Sequence, residues 1–216
     1  MHVDAWPVPF VISPQNMAID SVVTFCVSVL LAVMINAEAQ AFVSTFLGDA
    51  RKAPKDRFHF NAFMHLDLLG TICYVVAGFG WPRTMQLDAS KFRHPRLYTV
   101  ITRFAGPVAN LLLAGIAASI GSVMKMVEFD PRVFLMLVGV NITTAVYGLI
   151  PLPPMAAGSL VSEMIPDSLK GVKTILLHAG PLAILALALL ERIKGQGIIS
   201  PYFEPIIHSI FSYLTG

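Results

Sequence analysis

The chain alternates between long apolar runs and short breaks that are basic, polar or proline-rich. Six apolar stretches stand out, at 19–46, 68–81, 97–124, 133–150, 172–190 and 198–214. A helix needs about 20 residues to cross the hydrocarbon core of a bilayer. The first, third, fourth and fifth stretches reach that length once some tilt is allowed. The stretch 68–81 is short and ends in Gly78-Phe-Gly-Trp-Pro82. It is expected to be a short span or a re-entrant element, because non-helical backbone at membrane depth must be buried in protein. The last stretch holds Pro201, Glu204, Pro205 and His208, and reads as an interfacial helix or a final short span. The pattern predicts an all-α polytopic membrane protein, a bundle of about five to six membrane segments with a short re-entrant or hairpin element. Residues 1–17 form an N-terminal segment and residues 18–216 a single membrane domain.

Composition strengthens this picture. Of 216 residues, 56% are hydrophobic and 13% charged, where a soluble domain carries roughly 25% charged residues. The net charge of +2 does not indicate a nucleic-acid partner, because the basic residues sit in short loops. Arg51, Lys52, Lys55 and Arg57 lie in loop 49–62, and Arg83, Lys91, Arg93 and Arg96 in loop 82–96. Both loops are expected on the cytoplasmic side, which requires that 68–81 does not cross, with the N-terminus outside. Residues 1–17 contain no Lys or Arg, so the first apolar stretch is expected to be a retained span rather than a cleaved leader. Cys26 and Cys73 have no paired spacing and read as small core residues. Gly106-Pro107 and Gly180-Pro181 each interrupt an apolar stretch, where neighbouring groups must satisfy the carbonyls that proline leaves open. Their flanks, Ala105-Gly-Pro-Val-Ala and Ala179-Gly-Pro-Leu-Ala, echo each other too briefly to establish a repeat.

Four blocks carry a more specific signal. The first is Asn36-Ala-Glu-Ala-Gln-Ala41, inside the first apolar stretch and just before a basic loop. The second runs from Asn61 through His65-Leu-Asp67-Leu-Leu-Gly70 to Phe79-Gly-Trp-Pro82 and Lys91-Phe-Arg-His-Pro-Arg96. The third is Ala105-Gly106-Pro107-Val-Ala-Asn110, and the fourth is Asn141 followed by Leu149-Ile-Pro151-Leu-Pro153-Pro154-Met155-Ala156-Ala157-Gly158. In this order and spacing they resemble the site-2 protease family of intramembrane zinc metalloproteases, specifically its small prokaryotic members. The resemblance runs from about residue 18 to the C-terminus. It implies a site-2-protease-like helical bundle, with His65, Asp67, Gly106, Pro107, Asn110, Asn141, Pro151, Pro153 and Pro154 as structural motif positions.

The resemblance also implies roles that these residues do not fill. In the family, two His four residues apart share a helix face and bind zinc, a later Asp completes the protein ligands, and a Glu after the first His is the general base. Asn36 and Gln40 stand at the two His positions, Ala37 at the base and Ala156 at the Asp. Amides are poor zinc ligands, and alanine offers neither a ligand nor a proton acceptor. Glu38 is one residue off the base position, so it points roughly 100° away around the helix.

Ionisable groups inside membrane segments mark pairing or function. Arg103 is expected to pair with Glu38 or Asp67, or to reach the interface with its head group. Asn36, Gln40, Asn110, Asn141, Thr143 and Thr144 are expected to join helices through hydrogen bonds, or to line a polar cavity for a peptide or lipid. His65 and Asp67, two residues apart, do not share a helix face and are not read as a metal pair. His178 and His208 read as satisfied core or interface histidines. Segment 78–96 reads as a surface loop, or as a strand edge able to hold an extended peptide.

These readings converge on a catalytically inactive relative, not an enzyme. It would need no cofactor or metal, sit in a prokaryotic inner membrane among lipids, and bind or scaffold other membrane proteins in a hetero-oligomeric complex. Segments 6–14 and 201–213 would be its contact surfaces. The alternative is an intramembrane zinc metalloprotease with non-standard ligands, or one completed by a partner. A small transporter ranks below both, because no convincing inverted repeat is visible.

Overall fold

The structure, a computed structural model, describes residues 19–49 and 60–216. The N-terminal segment 1–17 and the basic residues Arg51, Lys52, Lys55 and Arg57 lie outside the described residues. Seven α-helices follow one another among the described residues: α1 Ile19–Phe46, α2 Leu68–Ala77, α3 Pro95–Met126, α4 Arg132–Tyr147, α5 Ala156–Met164, α6 Lys170–Lys194 and α7 Ser200–Thr215.

The helix α4 packs against α1, α3 and α7, and α1 packs against α3. Their relative directions follow from the ends. Arg132 at the start of α4 lies 4.0 Å from Asp20 at the start of α1. Asp49, just past α1, accepts a bond from the backbone N–H of Asp88 at 3.1 Å and meets Lys91 at 3.4 Å, shortly before α3 begins. Hence α1 and α4 run one way and α3 the other, with the end of α1 beside loop 82–96. The last turn of α7 returns to the far end of α3, where Lys125 donates to the Thr215 carbonyl at 3.2 Å.

Three helices, α1, α3 and α6, are long and apolar enough to cross a membrane. Their outer faces carry exposed apolar side chains such as Val23, Val27, Val108, Leu112, Ile116 and Ile175, a surface suited to lipid. Polar groups lie inside instead: Ser28, Asn36, Glu38, Gln40 and Ser44 of α1 are all buried. The stretch 133–150, expected to be long enough to span, gives a shorter apolar helix than these three. Its helix α4 has 16 residues, about 24 Å, and Val138 to Tyr147 are buried without a break. Its apolar character comes from being wrapped by three other helices.

The stretch 68–81 folds back on itself. After ten residues α2 stops at Gly78, whose left-handed conformation (φ 77°) and N–H bond to the Tyr74 carbonyl close the helix. The chain then returns, so that Leu66 and Pro82 form an antiparallel bridge and the Arg83 N–H donates to the His65 carbonyl at 2.7 Å. Entry and exit of this hairpin are therefore neighbours. Asp67 clasps it, accepting from the Gly70 N–H at 2.9 Å and from the Trp81 indole at 3.0 Å.

Both Gly-Pro pairs sit inside continuous helices, Pro107 in α3 and Pro181 in α6. Each glycine admits a close neighbour. A Cβ on Gly106 would overlap the Asn36 side chain, and one on Gly180 would overlap the Pro153 carbonyl. The expectation for the cysteines is half corrected, since Cys73 is buried but Cys26 faces outward.

Candidate functional site

The helix α5, which the periodicity did not predict, follows the proline-rich turn 149–155 and brings Ala156 towards the bundle. Asn36, Gln40 and Ala156, drawn from α1 and α5, line one cleft. Arg103, Pro107, Gly148, Pro154 and the hairpin residues Gly80–Thr84 complete its wall. The cavity is about 30 Å³, room for a water or two. Ala37 is buried but does not line the cleft.

A one-way chain of hydrogen bonds runs beside the cleft. The Arg103 Nη1 donates to Gln40 Oε1 at 2.9 Å, and Gln40 Nε2 to Asn36 Oδ1 at 2.8 Å. Asn36 Nδ2 donates to Asn110 Oδ1 at 2.5 Å, and Asn110 Nδ2 to Asn141 Oδ1 at 2.8 Å and the Ala32 carbonyl at 3.0 Å. Asn141 Nδ2 ends the chain on the Leu137 carbonyl at 2.8 Å. Bonds pointing one way polarise one another in low dielectric, and a guanidinium at the head adds charge assistance. The seam joins α1, α3 and α4 through groups that are each both donor and acceptor.

Arg103 also reaches out of the seam. Its Nη2 donates to the Met85 carbonyl at 2.7 Å, which pins the segment after the hairpin to α3. The expected pairing of Arg103 with Glu38 or Asp67 is therefore corrected. Glu38 points the other way around α1, towards His65 Nε2 at 3.1 Å, and Asp67 is committed to its hairpin clasp. The i to i+2 offset between Glu38 and Gln40 is the physical reason, since it sends them to different faces of the helix.

The remaining motif positions have structural work. Pro153 is buried against Gly180, while Pro151 is exposed. Thr144 bonds the Tyr74 hydroxyl at 2.8 Å, tying α2 to α4. Thr143 is also buried. His178 and His208 are both exposed. Sequence reasoning missed Met85, Tyr74 and Tyr147. Tyr74 carried a usable signal, because a buried hydroxyl in an apolar segment needs a partner, here Thr144.

A zinc ion, as the family resemblance implies, does not fit these residues. The Asn36 oxygen is taken by Gln40, and the Gln40 oxygen by Arg103. Ala156 has no ligand atom. Among the described residues no group of three or more His, Cys, Asp or Glu is placed to hold a metal.

Comparison with known proteins gives one informative relative. The chain is 28% identical over 157 residues to the Bacillus subtilis (strain 168) protein named "Putative zinc metalloprotease YwhC", covering 68% of this chain and 72% of that one. No protein-family model matches, and no solved structure matches. The relative corrects one expectation. The missing ligands led to the reading that the chain is not an enzyme, yet a protein alike over two thirds of this chain is named as a metalloprotease. Ligand-by-ligand reasoning tests only a site copied from the family pattern, and enzymatic activity is a property of a wider surface and of any partner. Over two thirds of its length the chain is similar to a bacterial protein named as a zinc metalloprotease, and its described residues supply three helices long and apolar enough to cross a membrane.

Proposed function

We propose that this protein engages an extended, hydrophobic segment of another membrane protein along residues 82–88, at the mouth of the Asn36–Gln40–Ala156 cleft, within a larger assembly in a bacterial cytoplasmic membrane. The carrying observation is the backbone of residues 83–88, which belongs to no helix or strand. The Met85 carbonyl is fixed by Arg103, whereas the N–H groups of Thr84, Met85 and Leu87 have no hydrogen-bond partner among the described residues. An unpaired backbone edge binds peptide by strand addition, with main-chain bonds giving affinity and adjacent pockets giving selectivity. In this reading the α2 hairpin is re-entrant, and its two adjacent ends deliver the edge to one side of the membrane. The relative favours a second reading, that the bound segment is also cleaved in a zinc-dependent reaction.

A photo-crosslinker at Thr84 tests the first reading in native membranes. A membrane-protein adduct is expected at Thr84 and not at Val108 on the outer face of α3, and it should be lost in Arg103→Met. Equal adducts at both sites, or none, would refute it. Zinc content of the purified protein, with cleavage of the captured segment on co-expression, decides the second.

A further inference from the structure

A separate cavity of about 250 Å³ lies where α6 turns into α7, bounded by Phe79, Tyr147, Glu191, Arg192, Gln196 and Glu204. It shares none of the cleft residues. Tyr147 is only 6% exposed, and its side chain borders the cavity, where its hydroxyl makes no hydrogen bond among the described residues. Its ring is sandwiched, stacked on Phe79 at 3.9 Å and on Phe203 at 5.2 Å, so the hydroxyl is held in place.

The two carboxylates of the cavity differ in what they already do. Glu191 closes the start of α7, accepting from the Ile199 N–H at 3.0 Å, the Ser200 N–H at 3.2 Å and the Ser200 hydroxyl. Glu204 is partly buried and makes no bond among the described residues. A held phenol oxygen and an open carboxylate together suit an organic ammonium group, whose N–H groups can donate to both. Exposed apolar side chains lie nearby along the chain, Ile193 on α6, Ile198 in the connection, and Tyr202 and Ile206 on α7. A ligand with a cationic head and a hydrocarbon body matches both parts.

We propose that this cavity binds an organic ammonium group, with Glu204 and Tyr147 as its direct contacts. The reading is independent of peptide engagement at 82–88. The test uses the full chain in mild detergent and native mass spectrometry, with phosphatidylethanolamine and phosphatidylglycerol of matched chains supplied in equal amounts. Preferential retention of the ethanolamine lipid is expected. Glu204→Gln should cut it about tenfold, the scale of one charged hydrogen bond, and Tyr147→Phe, which keeps the ring stack, should cut it less. Displacement by free ethanolamine would support a site for the head group alone, and resistance to it would support a site for the whole lipid. Equal retention of both lipids, or retention unchanged in both variants, would overturn the proposal.

Discussion

The amide seam and the α6–α7 cavity both bury polar groups, and they treat them in opposite ways. In the seam, Gln40, Asn36, Asn110 and Asn141 each accept one hydrogen bond and donate another, beside a space of about 30 Å³. In the cavity, Tyr147 and Glu204 border about 250 Å³ without a partner among the described residues. A fully partnered buried network stiffens and specifies a core, while a polar group that borders an open cavity keeps its hydrogen-bonding capacity for what enters it. The first kind of polarity builds this bundle. The second is free to meet a ligand.

The largest expected effect comes from cutting the seam at its hub. Asn110→Ala orphans the Asn36 side-chain amide and the Asn141 side-chain oxygen and removes the second bond to the Ala32 carbonyl, and should cost about 3 kcal/mol. Denaturant unfolding in detergent measures it, and a loss below about 1 kcal/mol would mean the seam is not what holds α1, α3 and α4 together. Gly180→Ala should cost about 2 kcal/mol through overlap with the Pro153 carbonyl. Gly171→Ala in the same helix, where a Cβ meets nothing within 4 Å, should be neutral or slightly stabilising. A similar thermal shift in both would remove the close approach as the cause.

Asp67→Ala removes the α2 cap and the Trp81 clasp together, for about 1–2 kcal/mol. Faster proteolysis at 82–88 than in the wild type is the expected signature, and unchanged cleavage would show that the hairpin closes without the clasp. The smallest effects form a matched pair. Tyr74→Phe removes a hydroxyl bonded to Thr144 at 2.8 Å and should cost about 1 kcal/mol. Tyr147→Phe removes an unpartnered one and should cost less than about 0.5 kcal/mol. Equal melting temperatures for the two variants would erase the distinction between the regions.

Much of the bundle was legible in the sequence, because long apolar runs in a membrane protein become helices wherever they lie. The helices α1, α3, α6 and α7 begin and end within a few residues of their runs. Periodicity could not separate α4 from a lipid-facing span, since a helix surrounded by protein and one surrounded by lipid are equally apolar. The helix α5 escaped because nine residues of small and mixed type, Ala156 to Met164, present no stripe. Asn36, Gln40, Asn110 and Asn141 were legible as polar residues in apolar runs. Their partners were not, because the sequence does not say which face of α1 turns towards α3, and so whether Arg103 meets Gln40 or Glu38.

The sequence alone determined a pattern of apolar helical runs suited to a membrane, and an order of blocks that resembles the site-2 protease family, with amides and alanines where that resemblance implies metal ligands and a base. Those are properties of local composition and spacing, and no folding is needed to read them. Only the tertiary structure decided that the amides form a one-way chain headed by Arg103, that residues 68–81 return to where they entered, and that Tyr147 is left without a partner. Each depends on the distance and facing of groups dozens of residues apart, and hydrogen bonding falls off within a fraction of an ångström of its optimum. No linear pattern encodes that.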